Sequence, residues 1–213
     1  MKKFTFFLLL TVSWASFAQN IRYVKEGGSG NKDGSSWNNA SDDLQLMINQ
    51  SVANDQVWVA AGNYIPNRLA DNLGTILVTN NPNKAFVLKE SVKLYGGFVG
   101  YETALTQRNP DITVNRSILN GTNNVVHVVI AANVSNKTLL DRFTITGGNA
   151  NGPQTTIITV NGQTLNQSRG GGMVNVASSA TISDCTFSTN SASYGGAMFN
   201  DKSPVTISNS TFT

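Results

Sequence analysis

Side chains capable of acid–base work are scarce in the repeated half of this sequence; Asp141 beside Arg142, and Asp184, are the candidates. A polysaccharide lyase or hydrolase needs carboxylates gathered with Arg or Lys on one face, either to hold calcium or to act as acid and base. When the repeats described below are aligned, Asp141 falls opposite Ser183, and Asp184 opposite Arg142 and Asn209. A charged ladder on a solvated face accounts for that pattern. His127, the single histidine, lies in Val125-Val126-His127-Val128-Val129, where strand alternation points it away from Val126 and Val128. It has no second histidine to work with. Cys185 is the single cysteine, which rules out an intrachain disulfide, and a lone thiol in an apolar ladder reads as inert core. No catalytic residue is assigned.

Ligand-binding patterns are equally sparse. The stretch Gly27-Gly28-Ser29-Gly30-Asn31-Lys32-Asp33 approximates a G-G-x-G-x-D calcium nonapeptide but has one residue too many before the Asp and occurs once. A flexible glycine loop is the preferred reading. Calcium is the one cofactor with any motif behind it, and no metal ligand is assigned. Gly170-Gly171-Gly172 and Gly195-Gly196 lack the G-x-x-x-x-G-K pattern and the following helix of a phosphate loop, so they read as chain corners. Trp37, Tyr101 and Tyr194 lie in loop-like sequence, where aromatic rings are free to stack on sugars. They are the candidate glycan contacts, with packing at the edges of the fold as the simpler use.

The elements that must position these residues are signalled by composition. Of 213 residues, 40% are hydrophobic and only 13% charged, while 27 Asn and 19 Gly supply residues that tolerate left-handed backbone and tight turns. That is turn-punctuated β composition. At the N-terminus, Lys2 and Lys3 precede an apolar run from Phe4 to Val12, and Ser16-Phe17-Ala18 offers the small residues that signal peptidase reads. Residues 1–18 are therefore expected to be a cleaved signal peptide, leaving Gln19 first. The run is too short for a spanning helix, so the mature segment is not expected to insert in a membrane. Without Lys2 and Lys3, 13 basic residues face 12 acidic ones, a net charge of +1. With no Lys/Arg cluster, nucleic acid is excluded as a partner.

Self-similarity then specifies the fold. Gly170-Gly171-Gly172-Met173-Val174-Asn175 matches Gly195-Gly196-Ala197-Met198-Phe199-Asn200 at an offset of 25, and Thr181 to Phe187 matches Thr206 to Phe212 at the same offset. A weaker copy, Leu140 to Ala150, matches Ile182 to Ala192 at an offset of 42, the surplus fitting an excursion through Asn151 to Gln167. Short β-prone segments at this period predict an all-β right-handed parallel β-helix, a solenoid whose equivalent residues stack about 4.8 Å apart. Leu140, Ile182 and Ile207 should form one inward ladder, Phe143, Cys185 and Ser210 a second, and Ile145, Phe187 and Phe212 a third. Asn175, Asn190 and Asn200 are expected at turns. Residues 19–56 read as a strand from Ile21 to Val24, a glycine loop and an amphipathic capping helix, N-capped by Ser41, with Leu44, Met47, Ile48 and Val52 on its apolar face. Residues 57–213 read as β-helix coils, the first strand being Val57 to Ala60, ended by Gly62-Asn63-Tyr64.

The motif pair Phe187-Ser188-Thr189-Asn190 and Gly195-Gly196-Ala197-Met198 resembles the F-x-x-N and G-G-A-(I, L, V, M) repeats of the chlamydial polymorphic outer membrane proteins. Asp33-Gly34-Ser35-Ser36-Trp37, Val57 to Tyr64 and Tyr95-Gly96-Gly97-Phe98 are similar to the start of large secreted proteins of the pectate-lyase-like superfamily. The resemblance implies a surface or secreted β-helix, associated with the outer membrane and acting as an adhesin or binding passenger. Its implied partner is an extracellular glycan or a protein on a host or neighbouring surface. Family members are usually longer and this sequence stops inside a repeat, so it is expected to be an N-terminal fragment. The competing expectation is a carbohydrate-active enzyme whose active site lies in downstream sequence.

Overall fold

The computed structural model describes residues 19–74 and 80–213; the expected signal peptide lies outside them. In chain order the strands and the helix are β1 (Ile21–Val24), α1 (Leu44–Gln50), β2 (Gln56–Ala60), β3 (Gly62–Tyr64), β4 (Phe86–Val87), β5 (Lys93–Phe98), β6 (Ser117–Val125), β7 (Val129–Ala132), β8 (Leu139–Asp141) and β9 (Phe143–Ala150). There follow β10 (Ile157–Val160), β11 (Gln163–Asn166), β12 (Met173–Val176), β13 (Thr181–Ser183), β14 (Thr186–Ser188), β15 (Ser191–Ala192), β16 (Met198–Asp201), β17 (Thr206–Ser208) and β18 (Thr211–Phe212). The described chain is thus predominantly β, with one α-helix among the described residues. Three sheets are built from parallel pairs: sheet I runs β1-β2-β5-β8-β13-β17, sheet II β3-β6-β9-β14-β18, and sheet III β4-β7-β12-β16. From β4 onward successive strands visit sheets III, I and II in turn, interrupted by the antiparallel hairpin β10–β11 and by β15, which pairs in parallel with the end of β9.

The 25-residue offset appears directly as strand register. Met173 pairs with Met198, Ile182 with Ile207 and Phe187 with Phe212, while the 42-residue offset pairs Leu140 with Ile182 and Ile145 with Phe187. Like stacks on like because paired positions hold the same place in neighbouring parallel strands. Leu140, Phe143, Ile145, Ile182, Cys185 and Phe187 are all buried in one cluster that also receives Leu44, Met47 and Ile48 from α1. The paired glycines serve close backbone approach: a Cβ at Gly148 would overlap the Gly171 carbonyl, and one at Gly171 the Ser191 carbonyl.

Several local expectations are corrected. The helix is capped by Asp43, whose side chain accepts from Leu46 N at 2.9 Å, because Ser41 is instead engaged as a bridge partner of Val24. Val52 lies beyond the helix and is exposed. Gly62-Asn63-Tyr64 does not end a strand but forms β3, the first strand of sheet II, paired with β6. Asn175 and Asn200 are not turn residues; they sit in β12 and β16, where Asn175 Nδ2 donates to Asn200 Oδ1 at 2.8 Å. The stacked pair satisfies the Asn175 Nδ2 within the ladder, while its Oδ1 is buried without a partner among the described residues. Asn190 does occupy a corner, its Nδ2 donating to Ile145 O and its Oδ1 accepting from Gly148 N. The excursion from Asn151 to Gln167 contains the hairpin. Its Ile158, Val160 and Leu165 lie over Val87, Ile130, Ala132, Val174 and Val176 of sheet III, forming a second apolar cluster.

Candidate functional site

The carboxylates come first. Asp141 is not on a solvated face: it is buried and receives Arg108 Nη1 on Oδ1 at 2.5 Å, each side chain about one-tenth exposed. The Arg108 guanidinium also lies over the rings of Tyr95 and Phe98, 5.5 and 5.4 Å from their centroids. Arg108 belongs to a loop remote in sequence, so repeat alignment alone could not reveal the pairing. Asp184 stands at the equivalent corner to Arg142 and Asn209, as aligned, and the reason is backbone geometry: all three have positive φ, at 60°, 52° and 48° for residues 142, 184 and 209. Asp184 Oδ2 accepts from Ser183 Oγ at 2.7 Å. His127 lies in the bend between β6 and β7 rather than in a strand, which is why Val126 and Val128 are buried along with it. Its Nδ1 donates to Gly170 O at 2.9 Å, its Nε2 has no partner, and burial pulls its pKa down to about 4. Burial pushes the Cys185 thiol up to about 12.

In the glycine loop, Asp33 Oδ1 accepts from Ser35 N and Lys32 Nζ pairs with Asp42. The lone Asp is thus used to shape its own turn. Among the described residues no three His, Cys, Asp or Glu side chains come together as metal ligands.

Two of the three candidate aromatics converge. Trp37, in a single 3-10 turn (Trp37–Asn39), and Tyr101, in the loop after β5, line one open cleft of about 400 Å³ together with Tyr23, Ser36, Asn38 and Thr103. The floor is rigid. Trp37 packs edge-on to Tyr23 at 4.8 Å and tilts against Phe98 at 5.6 Å, while Phe98 stacks on Trp58 at 4.6 Å. The strand pairing Tyr23 to Trp58 to Tyr95 places those three rings on the outward face of sheet I. Trp37 Nε1 donates to Glu102 O at 2.8 Å, which fixes the plane of the indole.

The wall is shaped by a residue that no sequence motif marked. The buried Glu102 carboxylate accepts from three consecutive backbone N–H groups, of Val99 at 2.7 Å, Gly100 at 2.9 Å and Tyr101 at 3.1 Å. Burial raises its pKa, but those donors outweigh it and hold the carboxyl below the ordinary range. The Tyr101 ring that this loop presents is 73% exposed. Ser36 Oγ, the Asn38 amide and the Tyr101 hydroxyl have no hydrogen-bond partner among the described residues, and all three residues line the cleft beside the aromatic rings. Such a mixture suits a ligand with one apolar face and a rim of hydroxyls. Tyr194, the third candidate, lies elsewhere: its hydroxyl accepts from Gln154 Nε2 and Arg169 lies over its ring. The alternation Ile21-Arg22-Tyr23-Val24 against Val57-Trp58-Val59 carried the signal that would have found Tyr23.

No protein-family model, no curated protein and no solved structure matches this chain.

Proposed function

We propose that the chain is a right-handed parallel β-helix, exported to the cell surface or secreted, that binds extracellular carbohydrate through the Trp37–Tyr101 cleft without cleaving it. The cyclic visits to three parallel sheets and the 25-residue register support the solenoid. The resemblance of its repeats to those of the chlamydial polymorphic outer membrane proteins supports surface display. The observation that carries the binding role is the convergence of Trp37 and Tyr101, from separate loops, on one cleft rimmed by unpartnered polar groups. A lyase or glycosidase has weaker support, because Asp141 is neutralised by Arg108 and Asp184 is bonded at a corner.

A glycan array probed with the full chain and with Tyr101→Ala is the test. Binding of one glycan class that is lost in Tyr101→Ala is the expected result. Turnover of pectin or alginate that disappears on Asp141→Ala would overturn the non-catalytic reading.

A further inference from the structure

We infer that the cleft takes a neutral hexopyranosyl chain and rejects glycans bearing carboxylates, and that Glu102 is the positioning residue that sets both its shape and this preference. The inference rests on the carbohydrate reading of the same cleft. Three successive backbone N–H groups that converge on one point form a concavity suited to an anion. In this loop the groups of Val99, Gly100 and Tyr101 converge on the chain's own Glu102 carboxylate. The anion site is therefore filled from within, and those donors are unavailable to a ligand's carboxylate.

A uronate brought into the cleft would instead meet a second negative charge in a partly desolvated setting, where like charges oppose one another more strongly than in water. The side chains offered to the ligand by Ser36, Asn38, Thr103 and Tyr101 are uncharged. Lys25 passes beside Gly100, but it is exposed, and an exposed ammonium is screened by salt. Hydroxyls of a neutral sugar can both donate to and accept from the rim while the apolar face of the ring lies on aromatic carbon.

Isothermal titration of the full chain with cellohexaose, maltohexaose, galactohexaose and hexagalacturonate tests this. At least one neutral hexasaccharide is expected to bind about tenfold or more tighter than hexagalacturonate, with loss of about tenfold in Tyr101→Ala. Glu102→Ala should lose neutral binding and recover part of it when sodium acetate is added, because acetate can refill the vacated site. Glu102→Gln removes the charge and keeps one of the two acceptor oxygens, its NH2 facing an N–H that the other oxygen had served; neutral binding should persist, weakened, while the discrimination against hexagalacturonate falls. This second variant covers the case in which Glu102→Ala does not fold. Hexagalacturonate binding equal to neutral binding and lost in Tyr101→Ala would overturn the inference and leave the carbohydrate reading standing. Discrimination unchanged in Glu102→Gln would likewise overturn the role of Glu102. No binding of any saccharide, or binding indifferent to Tyr101→Ala, would remove the carbohydrate reading itself.

Discussion

His127 and Cys185 show what burial does to a titratable side chain that has no ion partner. His127 is neutral in the folded protein at pH 7, donating from Nδ1 to Gly170 O with Nε2 unpaired. Its pKa is about 4 when folded against 6.5 as the ordinary value. Between those two values the unfolded chain binds the proton and the folded one does not, so stability rises with pH in that window. The contribution is fully present above about pH 6.5 and lost on acidification towards pH 4, a total of about 3 kcal/mol. Urea unfolding at pH 7 and pH 4.5 should show a drop of this order in the native chain and a smaller one in His127→Gln; equal slopes would show that carboxylates alone drive the acid sensitivity. Cys185 donates to Ser183 O and Leu140 O, and with its pKa pushed up to about 12 the thiolate is negligible at pH 8. Iodoacetamide at pH 8 should leave Cys185 unmodified in the native protein and alkylate it in urea, as mass spectrometry would read. The inertness of Cys185 was legible in its apolar ladder. The burial of His127 was not, because strand alternation does not hold across the bend at residues 126–128.

Ladder position governs the energetics of individual strands. Phe187 in β14 is fully buried between Ile145 and Phe212, whereas Phe212 in β18 stacks on Phe187 at 4.9 Å but remains 45% exposed. Phe187→Ala should cost about 3 to 5 kcal/mol as a buried aromatic truncation, and Phe212→Ala far less because one side of its site faces solvent. Denaturant unfolding of the two variants compares them, and equal losses would contradict the ladder account. The hairpin β10–β11 has a different task. Its offset from the 25-residue period leaves strand register on either side intact, so it is an insertion whose apolar residues cover the outward side of sheet III. Replacing residues 153–166 by a short Gly-Ser turn should keep far-ultraviolet circular dichroism but raise binding of an apolar dye, as Val87, Ile130, Val174 and Val176 become exposed. Loss of all cooperative structure in that variant would show instead that the hairpin is needed for the fold. The excursion was readable from repeat arithmetic; its hairpin form and its apolar underside were not.

Across the molecule, two kinds of information separate cleanly. Sequence by itself determined the β character, the 25-residue register and the buried rungs Leu140, Ile182, Phe143, Cys185, Ile145 and Phe187, because residue type at a fixed period reinforces the same pairing from strand to strand. Ile207 and Phe212, expected inward, are 41% and 45% exposed, since β17 and β18 end their sheets. Sequence also determined that Trp37 and Tyr101 were free of the repeated core. Only the tertiary structure decided that these two share a cleft, that Glu102 fills the N–H concavity of the loop bearing Tyr101, and that Arg108 neutralises Asp141. The cleft joins two loops, Arg108 joins a loop to a strand, and Glu102 closes its own loop; these loops all lie outside the repeat, where periodicity carries no information. Their partners are chosen by where the excursions land on the outward face of sheet I, and by the cost of leaving a buried charge or a backbone donor unpaired.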